Sequence, residues 1–155
     1  YEARSYFYHI FKKTKDNKII AYLDEDDHFI GFVQVVNYLS ILYISYLAIE
    51  TNYRNRGFGT YILNDLRNTY SSYTLCLCYE EVNEIYHDYL NRYKREQFYL
   101  RNGYKRCDFK TREGEVIYQV AKYGNDKLDF NIYKNLFDLV YGKDSHKIYL
   151  KEVKV

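Results

Sequence analysis

The stretch from Ile41 to Tyr70, ILYISYLAIETNYRNRGFGTYILNDLRNTY, constrains this chain more than any other. It opens on a long run, Ile41 to Ile49, rich in β-branched and aromatic residues, the composition of a strand. A short polar turn follows, Glu50 to Asn52. Then come Arg54-Asn55-Arg56-Gly57-Phe58-Gly59-Thr60 and an amphipathic segment in which Ile62, Leu63, Leu66 and Tyr70 recur at helical spacing. The unit reads as strand, glycine loop, helix. The first turn of a helix has backbone N–H groups without intrahelical partners, and the helix dipole adds partial positive charge there. Gly57 and Gly59 let an anion approach the backbone, and Arg54 and Arg56 add full charges. Such a loop suits a phosphate or pyrophosphate.

Two other glycine loops fail on inspection. A nucleotide-hydrolysing P-loop needs Gly-Lys-Ser or Gly-Lys-Thr, and neither dipeptide occurs. A dinucleotide fingerprint needs a third glycine where Ile62 stands. What remains is Arg-x-x-Gly-x-Gly between a strand and a helix.

At 155 residues, the size prior predicts one domain spanning 1–155. The 22 tyrosines and 9 phenylalanines, beside no Trp, Met or Pro, reflect codon bias and indicate no function. Without a methionine the chain does not begin at its own start codon, so sequence is expected to precede Tyr1. The net charge of +2 demands neither nucleic acid nor a membrane as partner. No apolar run nears the ~20 residues of a membrane span, and no segment reads as a secretory leader. Cys76 and Cys78 fall on one face of a strand-like run, which suits neither a disulfide nor a zinc site; with Cys107 they read as buried, inert thiols. An odd count without a framework fits a reducing cytoplasm, and no metal site is expected.

Taken in order, residues 1–13 place Ala3, Tyr6, Phe7, Ile10 and Phe11 on one helical face. Residues 18–23 and 29–36 form a strand pair around the acidic turn 24–27, which reads as a solvated loop. Residues 73–79 are an almost wholly apolar strand, predicted to be covered on both faces. Residues 80–102 run into a helix with Tyr86, Tyr89, Leu90, Tyr93, Gln97 and Leu100 on one broad face, ending at Asn102-Gly103. A hairpin of 104–110 and 116–123 follows, with Gly114 at its turn. A helix at 131–141 turns Ile132, Leu136, Leu139 and Val140 inward. The alternating tail 147–155 fits an added strand and a frayed end equally.

The loop from Leu47-Ala48-Ile49-Glu50 to Thr60 resembles the acyl-CoA loop of the GNAT acetyltransferase superfamily. A second, independent stretch, Phe98-Tyr99-Leu100-Arg101-Asn102-Gly103-Tyr104, is similar to that family's Leu-Tyr-x-x-x-Gly-Phe. The order of elements over roughly residues 3–123 also matches, and the trailing helix resembles a bacterial subgroup. The resemblance implies an α/β (α+β) GNAT fold: a mixed, mostly antiparallel sheet of six to seven strands with a splayed parallel central pair and helices on both faces. One strand and one or two helices normally precede residue 18 in the family. Here only a helix is expected, with the first strand lost or replaced.

The resemblance further implies an N-acetyltransferase that passes an acetyl group from acetyl-CoA to an amine by direct attack. Leu47, Ala48 and Ile49 would pair through backbone groups with the pantetheine arm. Arg54, Asn55, Arg56, Gly57, Phe58, Gly59 and Thr60 would hold the pyrophosphate. The Ile49 N–H would polarise the thioester oxygen. Tyr99 is the expected acid for the leaving thiolate, with Phe98 in the core. Glu80 is the expected base, with Glu81, Glu50 and His87 as alternatives. The acceptor is a small-molecule or protein amine, and a homodimer fits the family's habit. A catalytically silent acyl-CoA-binding regulatory or interaction module is the competing reading. Two positions depart from the family: Arg92 stands where many members have Asn, and Thr51 where proline is usual.

Overall fold

A computed structural model describes residues 4–8 and 17–155. Contacts divide the chain into two compact units, residues 1–73 and 74–155.

The first unit is an antiparallel meander in the order β1 (Arg4–Tyr8), β2 (Asn17–Leu23), β3 (Phe29–Tyr38), β4 (Ile41–Ile49). One 3-10 turn (Thr51–Tyr53) and a helix, α1 (Phe58–Thr69), follow. The helix expected over 1–13 is corrected here. Within the described residues Arg4–Tyr8 is a strand, paired with β2 from Arg4 opposite Leu23 to Tyr8 opposite Ile19. The rest of that expectation, at 1–3 and 9–13, lies outside the described residues. The physical reason is the open edge of β2: an aromatic-rich segment gains a full ladder of hydrogen bonds there, and that outweighs a short stretch of helical periodicity. With β1 the described residues hold eight strands, where six to seven were expected.

The strand that leads to the loop changes character halfway. Gln34 pairs with Tyr46 but Val35 with Ile44, so Ser45 is an extra residue on β4. Its hydroxyl donates to the Gln34 carbonyl at 3.3 Å. Such a bulge breaks the ladder and bends the strand. Before it, Ile41 to Ile44 are buried; after it, Leu47, Ala48 and Ile49 are half-buried and Tyr46 is exposed. α1 closes one face of this sheet with Phe58, Ile62, Leu63 and Leu66 buried, the face its spacing predicts. Each such side chain contributes on the order of 2 kcal/mol of transfer free energy. The buried Tyr22 phenol fixes the helix by donating to Asp65 at 2.7 Å.

The second unit has the strand order β5 (Thr74–Glu80), β7 (Val116–Tyr123), β6 (Lys105–Glu113), β8 (Leu150–Lys154), with helices α2 (Tyr89–Arg101), α3 (Phe130–Tyr141) and α4 (Ser145–Tyr149). The tail is a strand: β8 pairs with β6 from Phe109 opposite Lys154 to Glu113 opposite Leu150. Both faces of β5 are covered, as its apolar composition requires. Tyr79 stacks on Tyr99 of α2, and the Tyr133 hydroxyl of α3 donates to Cys78 Sγ at 3.5 Å.

Two helix faces differ from expectation. In α3 the buried residues are Tyr133, Leu136 and Phe137, a face rotated from Ile132 and Leu139 by the pull of two large aromatics. α2 begins only at Tyr89, and residues 81–88 are loop and turn. Its Leu90 and Tyr93 are exposed, while Arg92, Glu96 and Tyr99 turn inward. An inward face built on ion pairs carries no apolar period, so periodicity pointed to the wrong side.

Candidate functional site

The loop after β4 is built by local hydrogen bonding. The Glu50 N–H donates to the Ile30 carbonyl at 2.7 Å, and the Glu50 carboxylate accepts from the Asn52 N–H at 2.7 Å, capping the 3-10 turn. Arg54 Nε donates to the Ile49 carbonyl at 3.1 Å, folding the side chain back on the strand end. Asn55 and Gly57 take left-handed backbone angles, φ 61° and 85°. Gly57 is the N-cap of α1 and offers no side-chain cap. The first intrahelical bond runs from the Tyr61 N–H to the Gly57 carbonyl at 3.0 Å, so the amides of Phe58, Gly59 and Thr60 precede the helical ladder.

The start of α1 opens on a cleft of about 250 Å³ lined by Arg56, Gly57, Phe58 and Tyr61. Arg56 lies over the Tyr53 ring at 5.2 Å and the Phe58 ring at 5.7 Å, which holds its guanidinium at the lip. Nothing lies within 4 Å of where a Gly57 Cβ would stand. Positive charge, bare amides and open space are what a pyrophosphate requires, so the residues present fit an acyl-CoA.

Gly31 was missed at the sequence level. A Cβ there would run into the Ala48 carbonyl oxygen, so only glycine lets β3 approach the end of β4. A glycine inside a strand was the available signal.

In the second unit Tyr99 sits half-buried on α2. Its ring lies parallel to Tyr79 and meets Phe98 at 5.2 Å and Tyr104 at 6.0 Å. Burial raises its pKa to about 12, opposed by Arg95 and assisted by Cys78. The phenol is therefore a proton carrier at neutral pH. Cys76 is buried, and burial lifts its thiol well above the ordinary value, so it is inert.

Glu80, at the end of β5, is held by two cations: Arg92 at 2.7 Å and Arg95 at 3.6 Å. Arg92 also binds Asp88 at 2.8 Å and the Glu81 carbonyl at 3.3 Å, and lies 3.9 Å over the Tyr86 ring. This one guanidinium pins the whole β5–α2 connection. Glu81 is paired with Lys110 at 2.9 Å and accepts from the Tyr86 hydroxyl at 2.9 Å. Asp24, in the acidic turn, accepts from the backbone N–H groups of Asp26 and His28 at 2.9 Å and from the Tyr53 hydroxyl at 2.8 Å. It ties that turn to the loop.

The chain matches the model of the acetyltransferase (GNAT) domain over residues 15–106. It belongs to the GNAT acetyltransferase family, whose acetyl donor is acetyl-CoA. The fold is also similar to solved members. A Bacteroides thetaiotaomicron protein described as a GNAT-family acetyltransferase is 22% identical with TM-score 0.66, over 84% of this chain and 76% of that one. An Elizabethkingia anophelis GNAT acetyltransferase with acetyl-CoA bound is 9% identical with TM-score 0.59, over 79% and 98%. An aminoglycoside 6'-N-acetyltransferase complexed with coenzyme A is 16% identical with TM-score 0.57, over 75% and 77%. No curated protein matches the sequence.

Proposed function

We propose that this chain is an N-acetyltransferase that moves the acetyl group of acetyl-CoA to an amine by direct attack. The observation that carries the reading is the uncapped N-terminus of α1 at Gly57, open to a cleft and flanked by Arg56. The co-substrate supplies an activated acyl group whose leaving thiolate needs a proton. In this reading Phe58, Gly59 and Thr60 bind its pyrophosphate through their amides, with Arg54, Asn55, Arg56 and Gly57 shaping the cradle. Leu47, Ala48 and Ile49, half-buried beyond the bulge, present backbone groups to its arm. Tyr99 donates the proton to the thiolate; its raised pKa keeps that proton in place.

Glu80 is the acceptor-side carboxylate. Arg92 and Arg95 hold its carboxylate in place at the end of β5. Glu80→Gln separates the roles: a base loses kcat, whereas a group that only attracts the amine raises the acceptor KM. The family match crosses both contact units, which supports reading 1–155 as one domain. Free amines and protein amines are both within this reading. None of the three cysteines forms a disulfide, which supports a reducing, cytoplasmic setting. No described helix is long and apolar enough to cross a membrane.

The test is calorimetric binding of coenzyme A followed by thiol release from acetyl-CoA across an amine panel, for the wild type and Tyr99→Phe. The enzyme binds coenzyme A in both forms, and Tyr99→Phe loses about a hundredfold or more in kcat. Binding with no Tyr99-dependent turnover would instead identify a silent acyl-CoA-binding module. No binding would refute both.

A further inference from the structure

The second unit contains a cavity with four charged side chains in its lining that the acetyl-transfer reading does not use. It has a volume of about 330 Å³ and is walled by Glu81, Glu96, Arg106 and Lys110, with Cys107 and Gln119 at its floor. That is room for about ten waters, or for one small molecule.

The floor is built rather than incidental. Arg106 pairs with Ala121 and Lys110 with Gln119, so residues 107–109 of β6 bulge out opposite Val120 alone. The buried Gln119 amide nitrogen ties the bulge down, donating to the carbonyls of Cys107 at 3.2 Å, Phe109 at 3.4 Å and Val120 at 2.9 Å. The walls carry four charges arranged as two pairs. Lys110 meets Glu81 at 2.9 Å, and Arg106 meets Glu96 at 2.7 Å. Glu96 is 7% exposed, and burial works against its charge, which Arg106 restores. The Tyr79 hydroxyl, on a side chain only 2% exposed, ends beside Glu96 and Arg106 without a hydrogen bond of good geometry.

Ion pairs around a cavity are poor stabilisers, because desolvation offsets most of their attraction. They do suit a ligand that exchanges partners with them. A ligand of one sign would leave two like charges uncompensated. A ligand with both signs can set its cation on Glu81 or Glu96 and its anion on Arg106 or Lys110. We propose that this cavity binds a small zwitterion of the α-amino acid class. Every residue of this cavity belongs to the second unit, and none takes part in the proposed acetyl transfer.

Calorimetry and thermal unfolding of the whole chain test it, with the free protein amino acids as probes. A plain diamine and a plain dicarboxylate serve as single-sign controls. At least one amino acid is expected to bind and raise Tm at about 10 mM, while the single-sign probes do not. Glu96→Gln and Lys110→Met, one from each ion pair, each weaken that binding about tenfold or more, with far-UV circular dichroism confirming the fold. If one variant does not fold, the other and the wild-type panel still decide. No binding by any amino acid, equal binding by the single-sign probes, or unchanged affinity in a folded variant overturns the proposal.

Discussion

The ring of Tyr99 lies flat against that of Tyr79, centroids 5.7 Å apart and planes 13° apart. One ring comes from the helix and the other from the strand, so the stack positions the phenol without using its oxygen. Burial lifts the Tyr99 pKa from 10.0 to about 12. A group raised in the folded state contributes stability that is complete below the unfolded value and lost as pH climbs towards the folded one. In a difference titration at 295 nm between wild type and Tyr99→Phe, the Tyr99 signal should therefore be absent below pH 10 and emerge towards 12. A Tyr99 ionisation below 10 would show that the ring is not buried this way.

Gly31→Ala sets a Cβ against the Ala48 carbonyl, a backbone group that cannot rotate aside. β3 and the end of β4 must separate. The expected cost is about 1–3 kcal/mol in urea unfolding, together with weaker coenzyme A binding. Unchanged stability would mean that the strands do not approach as described.

Leu39 occupies the two-residue turn between Tyr38 and Ile41 with φ 54°, and it is 75% exposed. A leucine there carries the left-handed penalty with no packing to offset it. Leu39→Asn should raise stability by about 0.5–1 kcal/mol in denaturant unfolding, with acetyl transfer unchanged. A loss of stability would count against this turn conformation.

Asp24 is buried, which works to raise its pKa. Donation from the His28 N–H, the Tyr53 hydroxyl and the Asp26 N–H overcomes this and brings it down to about 2. A lowered carboxylate contributes stability that is present above its unfolded value and lost as pH falls towards the folded one. Between about pH 4 and 2 the wild type should lose stability more steeply than Asp24→Asn, measured by Tm against pH. Parallel curves would remove Asp24 as an acid-sensitive tie between the turn and the loop.

The local chemistry of the first half of the site is legible in the residues alone. Ile41 to Ile49 reads as a strand and Ile62, Leu63 and Leu66 as one helix face, and the glycine loop between them follows from chain connectivity. The anion binding proposed for it rests on backbone groups, which depend little on distant partners. Features that depend on pairing emerge only in the folded chain. Arg4–Tyr8 is a strand because β2 offers an unpaired edge. The inward face of α2 is Arg92, Glu96 and Tyr99 because Glu80 of β5 and Arg106 of β6 face two of them with opposite charge and Tyr79 stacks on the third. Apolar periodicity records only which residues avoid water. It is silent where burial is achieved by meeting an opposite charge, and those partners lie ten or more residues away along the chain.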